Sequence, residues 1–231
     1  MRDRGAVAAV CVSAVLSVGA LTSCGSDVSG VAQPAQRASG GSSDTELSKL
    51  LLEPSEFPGG FDTVVLPPQA VSMAAPDLTG VPQNAKVEPA RCVPPEQEYG
   101  PTSTAMAVGT NNATRATITV ELTRAQATIG ELKDQAEDCS SFTVTSSGAK
   151  STVTTDIVPP PPVDADDTLA LRRTVASGES GGEVVQSMTT LMGEVGDVRI
   201  SATLMSFGSG KPELAPLDEA FTAAVQKVKQ S

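Results

Sequence analysis

The sequence contains no histidine and no tryptophan, and only one tyrosine and five phenylalanines among its 231 residues. Without histidine, the chain lacks the usual base of serine hydrolases and the commonest protein ligand for metals such as zinc. The scarcity of aromatic rings argues against a surface that stacks sugars or nucleic-acid bases, because such surfaces need exposed rings. We therefore expect no catalytic residues, no metal and no cofactor.

Basic residues are also few, with 16 lysines and arginines against 27 aspartates and glutamates, for a formal net charge of −11. An acidic protein repels nucleic acid and anionic lipid headgroups, and no basic cluster in the chain offsets that repulsion. We therefore expect no nucleic-acid partner, and we expect a monomer.

An apolar run over residues 5–20, preceded by Arg2 and Arg4, opens the chain. A short positive end followed by an apolar centre is the layout of a secretory signal peptide. The run is shorter than the roughly 20 residues that a membrane-spanning helix needs. Residues 21–24, Leu-Thr-Ser-Cys, then resemble a bacterial lipobox, which implies cleavage and a diacylglycerol on Cys24. The alternatives are an ordinary signal peptide with a chance cysteine and an uncleaved membrane helix.

These features divide the chain into three predicted parts. Residues 1–23 are a lipoprotein signal peptide, residues 24–43 are the lipidated Cys24 with a flexible tether, and residues 44–231 are a single domain. Glycine and serine are frequent in the tether, and a chain of that kind spans roughly 24 Å. The prediction therefore places the domain on the outer face of the cytoplasmic membrane, in the cell envelope, held by lipid.

Four cysteines are present, and two of them have roles elsewhere: Cys11 lies in the signal peptide and Cys24 is the lipid attachment site. Cys92 and Cys139 remain, in a chain exported to an oxidising compartment. We predict a disulfide between them. The alternative is a pair of buried thiols that never meet.

The pattern of apolar and polar residues over residues 44–231 predicts an α+β domain. It consists of an antiparallel sheet of about six to seven strands with helices packed on it. A capping box at Ser43 and Glu46 predicts a first helix that ends at Pro54. Residues 62–91 are rich in proline and predict a long loop with one short strand at 62–66. Further helices are expected over 124–138 and 215–229. Strands are expected over 102–108, 116–123, 142–146, 151–158, 167–176, 183–192 and 197–207.

A family resemblance rests on the leucine-rich first helix, the Cys-Val-Pro-Pro loop at Cys92, the strand pair that follows and the helix ending in Cys139. In this order they resemble the extracellular sensor-type domains of the mycobacterial kinase PknH and related lipoproteins. The resemblance covers about residues 45–231. It implies a Cys92–Cys139 disulfide and a cleft that binds an unknown ligand. The second disulfide and the tryptophans of that family have no counterpart here.

Several short motifs suggest chemistry but fit turns and surface better. Residues 178–182 match the G-x-S-x-G elbow of serine hydrolases, yet no histidine is available and the segment joins two strands. Residues 147–150 match S-x-x-K, but a glycine turn replaces the helix that this motif needs. Asp164, Asp166 and Asp167 lack the spacing of a calcium loop. Arg172 and Arg173 fall on opposite faces of a strand, so we interpret them as a surface pair of which one could face a groove.

Three functions follow, in order of preference. The first is a non-catalytic, lipid-anchored ligand-binding or sensor-like domain whose ligand is a small molecule or an envelope component. The second is a carrier of lipid or another apolar molecule, which a deep apolar cavity would favour. The third is a cell-wall enzyme, which a pair of buried acids in a cleft would favour.

Overall fold

The computed structural model describes residues 46–124, 126–178, 184–208 and 212–231. These residues form one large sheet with helices on both faces. The predicted signal peptide, Cys24, the tether and the Ser43 cap lie outside these residues. Among the described residues, no helix is both long and apolar enough to cross a membrane.

Nine strands make up the sheet in the part of the chain that the structure describes. They are β1 (Asp62–Val65), β2 (Lys86–Glu88), β3 (Thr104–Asn111), β4 (Ala116–Arg124), β5 (Ser141–Ser146), β6 (Ala149–Val158), β7 (Asp167–Ser177), β8 (Val184–Val195) and β9 (Val198–Phe207). Their order across the sheet is β1-β3-β4-β9-β8-β7-β6-β5-β2, and every neighbouring pair is antiparallel. The long strands β7, β8 and β9 therefore lie near the centre.

The helices in the described part of the chain are α1 (Leu47–Leu50), α2 (Pro68–Ala74), α3 (Ile129–Asp138) and α4 (Ala215–Lys229), with short 3-10 helices at Pro54–Glu56, Ala75–Thr79 and Ala90–Cys92. α4 is the longest of them. α3 begins at a capping box, in which the Thr128 hydroxyl accepts from the Glu131 amide and the Glu131 carboxylate accepts from the Thr128 amide. This box satisfies amide groups that a helix start would otherwise leave unpaired.

Tight turns join consecutive strands because the chain supplies residues that accept positive φ there. Ser147 and Gly148 turn β5 into β6 at φ of 50° and 82°, and Gly196 turns β8 into β9 at φ of 59°. Two-residue hairpin loops favour this left-handed conformation because it matches the twist of the strands.

The first face of the sheet is covered by α4 and α1, which form the main core. α4 buries Leu217, Phe221 and Val225 among others, against apolar positions of β4, β8 and β9. Phe221 is fully buried, and its ring lies over Gly193 of β8, where an added Cβ would stand 3.2 Å from the ring. Full burial of one such ring stabilises the fold by roughly 1.5–3 kcal/mol. This face is therefore a solid apolar layer.

The second face is covered by α3 and by the segment from 67 to 99, and it holds three smaller apolar clusters. One cluster contains the Cys92–Cys139 disulfide, whose S–S distance is 2.03 Å and whose Cα atoms are 5.6 Å apart. The disulfide ties the end of α3 to the 67–99 segment, so the two covering pieces are joined to each other.

The α+β class and the antiparallel sheet are as predicted, while the strand count is larger than predicted. β1 corresponds to the short strand expected at 62–66, whereas β2 was not predicted; both lie at the edges of the sheet. α2 lies in the segment expected to be a loop. α3 begins at Ile129 instead of Arg124, because β4 continues through Arg124 and Thr128 caps the helix.

Candidate ligand-binding site

A cavity of about 160 Å³ lies on the second face of the sheet, between the strands and α3. Strands β4, β6, β7, β8 and β9 supply its floor, and α3 and residues 75–99 supply its walls. The first face has its strand side chains packed under α4, so the two faces of the sheet differ in kind. One face holds the fold together, and the other is available to a ligand.

The floor is polar because side chains alternate along a strand. In β4, Ile118, Val120 and Leu122 are buried under α4, so Glu121 and Thr123 face the cavity. Successive residues of a strand point to opposite faces, and the same alternation operates in β9. The polar side chains of the floor are Glu121, Thr123, Thr155, Arg173, Thr190, Arg199, Ser201 and Thr203.

Strand pairing brings these polar side chains into rows across the floor. In the pairing of β4 with β9, Glu121 lies opposite Ser201. In the pairing of β8 with β9, Thr190 lies opposite Thr203. The hydroxyls of Thr190 and Thr203 are hydrogen-bonded at 3.0 Å. The floor therefore offers a strip of hydroxyl groups beside its charged side chains.

The walls, in contrast, are largely apolar. α3 contributes Leu132 and Ala136, and the covering segment contributes Ala75 and Leu78. Further apolar lining comes from Phe142, Leu171, Met192 and the disulfide. An apolar wall facing a polar floor suits a molecule that has both kinds of surface.

Glu121 is a partly buried carboxyl group with no hydrogen bond to any residue that the structure describes. Burial raises the pKa of Glu121 to about 7, although the positive charge of Arg199 acts in the opposite direction. Near neutral pH this group is therefore present in both protonated and ionised forms. It can donate a hydrogen bond in one form and bind a cation in the other.

Arg173 is the second unpaired ionisable group of the cavity. Burial lowers the pKa of Arg173 to about 10, so its guanidinium stays charged at neutral pH. It makes no ion pair and no hydrogen bond with the described residues. Arg173 is half-buried, so a partly shielded cation without a partner favours an anion or an acceptor that reaches it.

Arg199, on the same floor, is paired with other groups of the fold. It is 6 % exposed, it pairs with the Glu194 carboxylate at 2.5 Å and its guanidinium donates to the carbonyl oxygen of Ala127. Ala127 lies just before α3, so this arginine holds the start of the helix on the sheet. The charge of Arg199 is paired within the fold, whereas the charge of Arg173 has no partner among the described residues.

Tyr99, the single tyrosine of the chain, lines the same cavity. Burial, and then the nearby Glu121, raise the pKa of Tyr99 above its ordinary value. Its backbone is held by the neighbouring Glu98, whose carbonyl oxygen accepts from the Thr104 hydroxyl at 2.9 Å. Since the chain has no tryptophan, tyrosine fluorescence reports on this cavity alone.

The residues singled out from the sequence fall in several places. Cys92 and Cys139 are bonded and line the cavity. Ser147 lies in the β5–β6 turn, as expected for a turn and not for a nucleophile. Gly178 is described, while residues 179–182 of the elbow motif lie outside the described residues.

The three aspartates near 164–167 serve the loop before β7. Asp166 accepts from the Gly196 amide at 2.8 Å, Asp164 pairs with Lys229, and Asp167 accepts from the amide of the next residue. No group of three or more metal-ligating side chains is found among the described residues.

The interpretation of Arg172 and Arg173 as a surface pair is wrong for the second member. Arg172 is exposed, but Arg173 points into the cavity because β7 presents alternate residues to that face. Glu121 was not singled out at all. Its only signal in the sequence is that it is the one acidic residue of β4, a strand of alternating Thr, Ile, Val and Leu that ends at Arg124.

Comparison with protein families shows which other sequences this chain is similar to. The family described as "Domain of unknown function (DUF5642)" matches residues 49–229, which is most of the chain. No curated protein matches the chain in sequence.

The structure is similar to two solved structures. The extracellular domain of PknH from Mycobacterium tuberculosis matches with a TM-score of 0.50 and 13% identity, covering 82% of this chain and 100% of that domain. An uncharacterised protein of Mycobacterium smegmatis, an Rv0999 ortholog, matches with a TM-score of 0.48 and 17% identity, covering 80% of this chain and 98% of that one. The predicted resemblance to the PknH sensor-type domain is confirmed at the level of the fold.

Proposed function

Because this chain belongs to the family described as Domain of unknown function (DUF5642), whose name assigns no activity, we propose a function from the cleft itself. The protein is a non-catalytic ligand-binding or sensor-like domain of the cell envelope, anchored by lipid at Cys24. Its ligand enters the cavity between α3 and the sheet. The extracellular domain of a kinase with the same fold supports a location outside the cytoplasm.

One observation carries the binding role: the cavity floor holds Glu121 and Arg173, neither of which has a polar partner among the described residues. A fold normally pairs the polar groups that it buries, because an unpaired one costs free energy. Groups left unpaired in a concave site are an indication that a ligand completes them.

The same floor favours binding over catalysis. A glycosidase-type mechanism uses two carboxyl groups that face one bond of the substrate. Here Glu121 is partly buried in the floor, whereas Glu96, the other carboxyl lining the described cavity, is exposed.

The carrier hypothesis called for a deep apolar cavity, and the polar floor gives it less support. An acyl chain inserted over that floor would cover Glu121 and Arg173 without bonding to either of them. We therefore propose a ligand with polar groups of its own.

Recovery of the natural ligand would test the proposed function. The full chain would be purified from membranes in a mild detergent and denatured, and released small molecules would be identified by mass spectrometry. We expect a molecule that is bound by the wild type but lost in Ala136→Leu, which fills the cavity from α3. Lys133→Leu places the same side chain on the exposed side of that helix and serves as control. Equal recovery from both variants, or none from the wild type, would count against the cleft as a binding site.

A further inference from the structure

The charges of the cavity point to a class of ligand, an inference that rests on the proposed function. We propose that the site takes a small zwitterion of the size of a short peptide, with its carboxylate on Arg173 and its amino group on Glu121. The body of the ligand would lie over the hydroxyl groups of the floor, with apolar side chains against α3. Three features of the cavity support this ligand: the two charges, their separation and the surface between them.

The two unpaired groups have opposite charges, and both line one cavity. A guanidinium is a planar fork that matches the two oxygens of a carboxylate, so Arg173 favours a carboxylate over a neutral acceptor. Glu121 offers a carboxyl to a donor or a cation. The remaining charged floor residue, Arg199, is already paired with Glu194 and does not compete for the ligand's acid.

The separation of the two groups follows from the strand pairings. Glu121 shares a row with Ser201, Met192 and Leu169, and Leu169 is four residues from Arg173 along β7. Three strand spacings across and four residues along put the two Cα atoms roughly 20 Å apart, at about 4.8 Å per strand and 3.4 Å per residue. Side chains on one face of a sheet stand roughly perpendicular to it, so the Cα distance is a guide to the separation of the charged ends. With about 2.8 Å for the contact at each end, an extended chain of about three to four residues, at roughly 3.3–3.6 Å each, spans the gap.

The surface between the charges suits a peptide backbone. Thr190, Ser201 and Thr203 line the floor in the intervening strands β8 and β9. Hydroxyl groups both donate and accept, so they can serve amide and carbonyl groups alike. On the opposite side, Leu132 and Ala136 of α3 offer apolar contact to side chains. A simple apolar acid would use the wall and Arg173 but leave these hydroxyls and Glu121 unused.

A set of blocked peptides tests the proposal on the full chain in detergent. The probe is the tripeptide Leu-Ala-Leu in four forms: free, N-acetylated, C-amidated and blocked at both ends. Binding is followed by the fluorescence of Tyr99 and checked by calorimetry. We expect the free peptide to bind most tightly, with a loss of about tenfold for each blocked end, since each block removes one charge-assisted contact.

Two variants assign each end of the ligand. In Glu121→Gln the N-acetyl block should no longer matter, and in Arg173→Met the C-amide block should no longer matter. The four forms binding alike, or the blocks acting equally in both variants, would overturn the proposal.

A small molecule recovered from the membrane-purified chain distinguishes a failure of the zwitterion proposal from a failure of the proposed binding site. If no form of the peptide binds but a small molecule recovered from the membrane-purified chain still shifts the Tyr99 signal, the zwitterion is wrong and the binding site stands. If neither peptide nor recovered material has any effect, both proposals fail.

Discussion

Gln135 of α3 donates a hydrogen bond from its side-chain amide to the carbonyl oxygen of Val93, at 2.7 Å. Val93 follows Cys92, and Gln135 lies one turn of helix before Cys139, so this bond runs beside the disulfide. The wall of the cavity is therefore joined to the covering segment by one covalent and one polar link. We expect the shape of the site to depend on both.

Breaking the disulfide should destabilise the domain without unfolding it at room temperature. The bond closes a loop with a sequence separation of 47. Chain-entropy estimates give about 4 kcal/mol for a loop of this size, as an upper figure. Cys92→Ser should therefore lower the free energy of unfolding by a few kcal/mol, measured by denaturant titration, while circular dichroism shows the sheet retained.

The state of the two thiols gives a separate measurement. After denaturation without reductant, Cys92 and Cys139 should give no reaction with a thiol reagent in the wild type, and both should react after reduction. Cys92→Ser combined with Cys139→Ser serves as control, because it removes the bond without leaving a lone thiol. Two reactive thiols in the unreduced wild type would contradict the bond.

The titration of Glu121 should make stability depend on pH. The carboxyl has an ordinary pKa of 4.5 when exposed, and the fold raises the pKa to about 7. The folded state thus holds this proton more tightly, so the associated stability is complete below about pH 4.5 and is lost as the pH rises to about 7. Glu121→Gln should remove this dependence and be more stable than wild type at pH 8 by about 1–3 kcal/mol.

The difference between wild type and variant isolates Glu121 from other groups. Arg173 stays charged over this range, and Tyr99 titrates above it. Glu96→Gln, an exposed change at the same cavity, is the matched control. A Glu121→Gln profile parallel to that of the wild type between pH 5 and 8 would contradict the raised pKa.

Arg173→Met should stabilise the empty protein while weakening ligand binding. The change removes an unpaired, desolvated charge and keeps most of the volume of the stem, so a gain of about 1 kcal/mol or more is expected. Arg172→Met, on the exposed face of the same strand, should have an effect within about 0.5 kcal/mol of zero. Thermal denaturation of both variants would check this. A large loss of stability in Arg173→Met alone would mean that the arginine holds the fold together.

Gly193→Ala should destabilise the domain through the opposite face of the sheet. An added Cβ would lie 3.2 Å from the Phe221 ring and 3.3 Å from Ala165, and the ring is fully buried and cannot move aside. Overpacking of this kind costs about 1–3 kcal/mol. Since the cavity lies on the other face, the response of Tyr99 to a ligand should be unchanged at temperatures where the variant is folded. Altered ligand response in the folded variant would show that the two faces are coupled.

Cys24→Ala tests the anchor directly. Only the thiol can carry the proposed diacylglycerol, whose two acyl chains would account for stable membrane attachment. The variant should move from the detergent phase to the aqueous phase in phase partitioning. Cys11→Ala, within the predicted signal peptide, is the control and should partition as the wild type does. Wild-type behaviour of Cys24→Ala would rule out the lipobox interpretation.

Periodicity in the sequence was enough to predict most of the fold. The central strands and α4 have strong alternation or a clear helical stripe, and they were placed close to their true bounds. β2 and α2 were not predicted because they are short, so each offers too few residues to show a period. The position of β2 is fixed by its pairing with the distant strand β5. The start of α3 was misplaced although Thr128 and Glu131 give a capping box.

The candidate site was much less predictable from the sequence. Its floor is assembled from strands that are distant in sequence, so the sequence does not show that Glu121 and Arg173 line the same cavity. Whether an arginine in a strand is exposed or enclosed depends on what covers that face. The covering segment here is the 67–99 stretch, which has the weakest pattern in the domain.

The alternation of β4 limits the ways in which a sequence of this kind can diversify. A single residue inserted in the middle of that strand would exchange the two faces beyond it, placing positions such as Glu121 under α4 and Val120 in the cavity. Insertions and deletions in these strands should thus be eliminated by selection, whereas substitutions at every second position alter the ligand surface and leave the core intact. New ligand preferences in such domains would arise by point substitution within strands of fixed length.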